Sequence, residues 1–568
     1  MSDEIVDFNV LNHFLAENRR WASQEVTIEE ISKDNKSLVS ELSAYDPLVT
    51  IPLLASLLTL PEYQSNCIRI EILITLAVVH CTGGKKANTD NLVRWFDMIG
   101  KSRCVLGEDP AEDVFVALVH DGNRDYMLLE GIWEAAGFYT QRIIDVIATM
   151  PDFGQFKHLK DCAHALLVIS DIVCKKSGLY RYQLGSEEVC STLSLQEIPR
   201  GDSLISRVTI TFEELNEHGV NLKDIKQFLL YPQIQADLPT QQFGNNCLNR
   251  YPLIMQDATH ITVVLPSALS VAMRNFAIEN IIKDGWIESF NRILSQNYSK
   301  LLYHTCLLGG PLFAPVHWKR SGIHRLSNFI LKVDEGYYIS FHFFLPSVQV
   351  NSESSFKDFY PDDGTLSDAL KDSVNEVLQQ FNGREDLKEG FIIFVGCGWG
   401  KGYAIQASKP NNPHWRFESM SVADLVRLSW LRDMSPSYFW HIQDGLEAVN
   451  RAGVQIENPN GILNLIAWVR SNNGHFVPHA QLPEGEISLN HPLILNPPLN
   501  LLREVRADAD HAYDRHCVVD NTGNWHNVQH VSPNPFFTSE SAQRVYASID
   551  DLESRRLTAV YESSFNLW

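Results

Sequence analysis

The stretch between residues 321 and 406 constrains the fold most, because its secondary-structure signals change three times. Two apolar runs in SNFILKVDEGYYISFHFF flank Asp334-Glu335-Gly336, which is typical of a β-hairpin. The polar run LSDALKDSVNEVLQQF predicts a helix, and GFIIFVGCGWGKGYAIQ predicts a strand, a glycine-rich turn and another strand. We therefore predict a central mixed sheet flanked by helices.

The remaining sequence extends this pattern into an α+β multidomain protein. A chain of 568 residues holds three or four domains at about 150 residues each. Four regions are predicted from the changes in periodicity: an N-terminal helical bundle at 1–105, an α+β domain with a hairpin and helices at 106–245, the central α/β core at 246–415, and a C-terminal domain of helices and His- and Pro-rich loops at 416–568.

Several local signals can be compared directly with a structure. Apolar residues at helical spacing predict helices over 51–60 and 68–81, and the Asp-Gly-Asn turn at 121–123 predicts a hairpin. The run at 206–215, SRVTITFEEL, predicts a strand. The run at 237–249, rich in Pro, Gly, Asn and Gln, is typical of a linker.

Charge and cysteine usage limit the compartment and the partners. The net charge of −22 repels phosphate backbones, so nucleic acid is disfavoured as a partner, although a local basic groove would still permit it. The ten cysteines include no C-x-x-C pair, which favours a reducing compartment. The acidic N-terminus does not resemble a signal peptide, and the longest apolar run is too short to span a bilayer. A cytoplasmic protein without a membrane segment is expected.

The order of elements from about residue 249 to 407 resembles the restriction-endonuclease-like PD-(D/E)xK core. That family has a helix carrying a glutamate, a β-hairpin, a helix and a further strand. The resemblance implies an Asp on the first hairpin strand and a Glu-x-Lys on the second. The carboxylates of that family hold Mg²⁺, and the lysine helps to activate water.

The residues at the motif positions differ from that family. Glu288 stands near the start of the helix, but Asn328 occupies the position of the Asp. Ser340 and His342 occupy the positions of the Glu and the Lys. Asn is a poor substitute for a charged ligand, Ser supplies no carboxylate, and His is not a permanent cation. We therefore expect a degenerate core that has lost its catalytic groups.

Two further clusters are candidate sites. The run GCGWGKG misses the phosphate-loop spacing, so it is either a glycine-rich turn or an anion-binding nest built by Gly398, Gly400 and Lys401. Late in the chain, imidazoles and carboxylates lie close together and are candidate ligands for Zn²⁺ or Mn²⁺, or else ordinary loop residues: Asp510, His511, Asp514 and His516.

The functional expectation is a non-catalytic binding or scaffold protein that needs no cofactor. It would act with a protein partner, in a prokaryotic defence or nucleic-acid-processing system. The alternative is a metal-dependent nuclease or phosphohydrolase that uses Mg²⁺, Mn²⁺ or Zn²⁺, at the C-terminal His/Asp cluster or at an unorthodox central core. The oligomeric state is left open.

Overall fold

A computed structural model shows a mixed α+β protein with two compact units. One unit, here called the helical unit, comprises Arg20–Ile287 and Val350–Lys357. The other, here called the sheet unit, comprises Met1–Arg19, Glu288–Gln349 and Asp358–Trp568. The structure describes residues 26–60, 67–99, 116–122, 124–130, 136–179, 201–302, 328–344, 347–350, 356–359, 372, 374–375, 377–379, 381–397, 407–408, 414–431, 436–451, 455–457, 462–473, 492–494, 497–498, 500–502, 504–505 and 509. The four-region division proposed from the sequence stays a prediction.

The helical unit is built around one helix that is buried on all sides. Its helices are α1 Ile28–Asp34, α2 Lys36–Leu42, α3 Pro47–Ala55, α4 Cys67–His80, α5 Thr89–Ile99, α6 Ala136–Ala148, α7 Gly154–Ser177, α8 Gly201–Val208, α9 Phe212–Glu217, α10 Leu222–Ile225, α11 Pro232–Gln235 and α12 Leu269–Lys283. In α4 every residue from Cys67 to Val78 is buried, because α2, α3 and α5 pack around it. This apolar helix therefore lies in the core of the helical unit.

Helix α3 begins earlier than its hydrophobic pattern predicts. The prediction started at residue 51, but the helix starts at Pro47, where the Asp46 side chain accepts a hydrogen bond from the Leu48 amide. Asp at the cap and Pro at the first position are the standard opening of a helix. The predicted helix over 68–81 is confirmed as α4.

The predicted hairpin is confirmed as β1 Val116–Asp121 and β2 Arg124–Leu129. Its two outer edges are occupied by side chains from α6 and α7. Gln141 contacts both the amide and the carbonyl of His120, and Asp171 accepts a hydrogen bond from the Met127 amide. These contacts explain how a two-stranded sheet stays ordered, because an isolated hairpin is only marginally stable in water.

The run at 206–215 is only partly a strand. It contains the end of α8, the three-residue strand β3 Thr209–Thr211 and the start of α9. Thr211 and Glu214 form a reciprocal capping box that starts α9. Strand β3 pairs with β5 His260–Val263, which also pairs with β4 Leu253–Met255. The segment predicted as a linker is part of this folded unit. Its Leu238 and Leu248 side chains are fully buried.

The sheet unit contains a five-stranded mixed sheet in the order β11-β12-β10-β7-β6. The elements after α12 are α13 Ile287–Leu302, β6 Asn328–Asp334, β7 Tyr337–Phe344, β8 Ser347–Val350, β9 Phe356–Phe359, β10 Glu389–Gly396, β11 Ala407–Ser408, β12 Trp415–Ser421, α14 Val422–Trp430, α15 Pro436–Arg451, β13 Gln455–Glu457, α16 Ile462–Ser471 and β14 Pro492–Ile494. Of these, β8 and β9 pair with each other and include residues 350 and 356–357 of the helical unit. Strand β10 runs parallel to both β7 and β12, while β6 is antiparallel to β7. The predicted hairpin with its turn at 334–336 is confirmed.

Both faces of this sheet are covered, so the middle strands are buried on both sides. On one face, Phe381 packs against Tyr338 and Trp415, with ring centroids 4.7 Å and 5.3 Å away. On the other face, Phe439 and Trp440 of α15 pack against Phe341 and Phe391. A sheet buried on both faces explains the nearly continuous apolar run in β10.

Two glycines allow close contacts between the backbone of this sheet and neighbouring groups. Gly336 has φ of +85°, and its carbonyl accepts hydrogen bonds from the Lys388 and Glu389 amides. The Gly390 backbone lies against the Trp415 ring, where an added Cβ would come within 2.3 Å of a ring carbon. The hairpin turn and the start of β10 are thus held together at one end of the sheet.

Within the part of the chain that the structure describes, no helix is long and apolar enough to cross a membrane.

Candidate functional site

Strand β7 places Ser340 and His342 on one face of the central sheet. Side chains two residues apart on a strand point to the same side. The register sets Phe394 of β10 opposite His342 from one side and Asn328 of β6 opposite it from the other. Three of the four predicted motif positions therefore lie on neighbouring strands of one sheet.

Ser340 and His342 form a hydrogen-bonded pair that is closed to solvent. The Ser340 Oγ and the His342 Nε2 are 2.8 Å apart, and both residues have no exposed surface. The imidazole also packs against the Phe394 ring, with centroids 6.0 Å apart. A hydroxyl satisfies the imidazole nitrogen without adding charge, which is the low-cost way to bury a polar group.

The pair is electrically neutral at physiological pH. Burial lowers the pKa of His342 to about 3, because the charged imidazolium loses its hydration inside the sheet. A neutral imidazole beside a hydroxyl supplies neither the negative ligands that Mg²⁺ prefers nor a fixed cation. The chemistry at Ser340 and His342 therefore differs from that of a carboxylate-lysine site.

A double-mutant cycle tests whether the two side chains act as one buried unit. Ser340→Ala should lower the free energy of unfolding by about 1–2 kcal/mol, since the hydroxyl partner of Nε2 is lost. Ser340→Ala combined with His342→Leu should stay within about 1 kcal/mol of the wild type, because both polar groups are removed together. Urea unfolding measures both effects. Strictly additive losses would show that the hydrogen bond does not couple the two residues.

The opposite face of the sheet carries a buried cation that the sequence analysis missed. The Arg416 guanidinium lies 4.0 Å from the Phe391 ring centroid and 5.5 Å from that of Trp440. Its nitrogens lie 2.9 Å from a Glu389 oxygen and 2.7 Å from an Asp444 oxygen. Arg416 is thus compensated by two carboxylates and two aromatic rings, which is typical of a structural cluster. Its only sequence signal is an arginine inside an otherwise strand-like run.

The fourth predicted motif residue, Glu288, is not part of this buried pair. Glu288 lies in the first turn of α13 with an exposed side chain, whereas Ser340 and His342 are fully buried. The anion-nest residues and the C-terminal metal candidates lie outside the described residues: Gly398, Gly400, Lys401, Asp510, His511, Asp514 and His516.

Comparison with known proteins identifies the family. The model of the Upx-like anti-phage protein family matches residues 17–568. The chain belongs to this family. No curated protein and no solved structure matches the chain.

Membership of the Upx-like family supports a role in defence, one of the two systems expected from the sequence. The match spans nearly the whole chain, so the central sheet and its flanking helices both fall within it. The family description states an anti-phage role and names no enzymatic activity. It therefore gives no support to a restriction-endonuclease-like core, and that resemblance stays a prediction based on element order.

The described residues of this Upx-like chain include several buried thiols. Among the described residues, no group of three or more His, Cys, Asp or Glu side chains could hold a metal ion. Six of the cysteines have buried thiols in the described part of the chain: Cys67, Cys81, Cys162, Cys174, Cys247 and Cys397. Burial raises the pKa of Cys81 and of Cys247 to about 12, and it also raises that of Cys162. Those three thiols are protonated at neutral pH and are poor nucleophiles.

Proposed function

We propose that this chain acts in phage defence as a binding or scaffold protein, and that its central sheet is a structural platform. The buried Ser340–His342 pair carries the proposal. It occupies the hairpin strand on which the nuclease resemblance requires a carboxylate and a lysine. The nuclease-like interpretation of the sheet belongs to the proposal and rests on the order of helix, hairpin, helix and strand.

The chemistry of the pair supports a non-catalytic sheet. A metal-dependent nuclease needs carboxylates that face a water-filled cleft, so that Mg²⁺ can keep several of its waters. Ser340 and His342 have no exposed surface, and the lowered pKa keeps the imidazole neutral. The side chains at these positions are therefore suited to packing in the buried core on one face of the sheet.

The charge of the chain supports a protein partner over nucleic acid. The net charge is −22, and a field of this sign disfavours the approach of a phosphate backbone. Two described cations of the sheet unit are paired with carboxylates, Arg416 with Glu389 and Asp444, and Arg384 with Asp386. A partner protein with complementary positive charge fits this field better than DNA or RNA does.

A cleavage assay distinguishes the binding role from the enzymatic alternative. The purified chain should leave single- and double-stranded DNA and RNA intact in Mg²⁺, Mn²⁺ or Zn²⁺. Metal-dependent cleavage that is abolished by Glu288→Ala or His342→Ala would overturn the proposal and place catalysis at the central sheet. Cleavage that survives those changes but is lost in His511→Ala or His516→Ala would favour the alternative site in the C-terminal cluster.

A further inference from the structure

We draw no further inference here: the strongest candidate, the aromatic surface patch at the start of α7 where Phe153 is 70% exposed and Phe156 packs 4.8 Å from the half-exposed Trp286 ring, is an unpartnered apolar surface, and nothing in the structure shows what covers it.

Discussion

Gly390→Ala should lower the free energy of unfolding by about 3 kcal/mol. The new Cβ would lie 2.3 Å from a carbon of the Trp415 ring, well inside the contact distance. Trp415 is only 2% exposed and packs against Phe381, so its ring cannot swing away freely. The added methyl group must therefore displace the ring or separate β10 from β12. Urea unfolding followed by tryptophan fluorescence measures the loss.

Two controls make this result specific to the contact with the ring. Gly84→Ala should change the free energy of unfolding by less than about 0.5 kcal/mol, because its Cβ would meet no atom within 4 Å. Combining Gly390→Ala with Trp415→Leu should cost less than the sum of the two single changes, since the smaller side chain makes room. An unchanged urea midpoint for Gly390→Ala would contradict the close approach of the β10 backbone to Trp415.

Stability should fall as the pH drops from 7 to 5, and His342 should account for a large part of the loss. In the unfolded chain its pKa is the ordinary value of about 6.5. In the folded chain burial lowers the pKa of His342 to about 3. Between these two values the unfolded state binds a proton that the folded state does not bind. The contribution is therefore fully present above pH 6.5 and decreases toward pH 3, with about 2 kcal/mol lost between pH 7 and pH 5.

The variant that lacks both polar groups isolates this effect from other titrating residues. Urea unfolding at pH 7, 6 and 5 should be compared between the wild type and Ser340→Ala/His342→Leu. The variant should lose about 2 kcal/mol less than the wild type over this range. Equal pH dependence in the two proteins would show that the imidazole is accessible to protons in the folded state, and the interpretation of a dry, neutral pair would then be wrong.

Local sequence signals predicted the part of the sheet that surrounds the pair. The Asp334-Glu335-Gly336 turn set the centre of the hairpin, and counting outward from it placed Asn328, Ser340 and His342 correctly on the two strands. Hairpin register depends on the turn, so it can be derived from sequence. The start of α14 is local in the same sense, since the Ser421 hydroxyl accepts a hydrogen bond from the Asp424 amide three residues later.

Features that depend on distant partners could not be derived in this way. Strand β3 has only three residues and is defined by its pairing with β5, about 50 positions later. The Arg416 cluster joins side chains from β10, β12 and α15, and no spacing in the sequence links them. Ser340 and His342 are buried because both faces of the sheet are covered. The alternation of polar and apolar residues along one strand does not show whether the second face is covered.

The most direct test of the proposed role is phage plating on a sensitive host that expresses the wild type or Ser340→Ala/His342→Leu at matched protein levels. The plating efficiency of the phage on cells with the double variant should equal that on cells with the wild type, because the pair fills the sheet and does not react. Gly390→Ala serves as the control for loss through unfolding. The contradicting result is a double variant that stays folded, with a urea midpoint near that of the wild type, but no longer protects the host. The Ser340–His342 pair would then take part directly in the defence function.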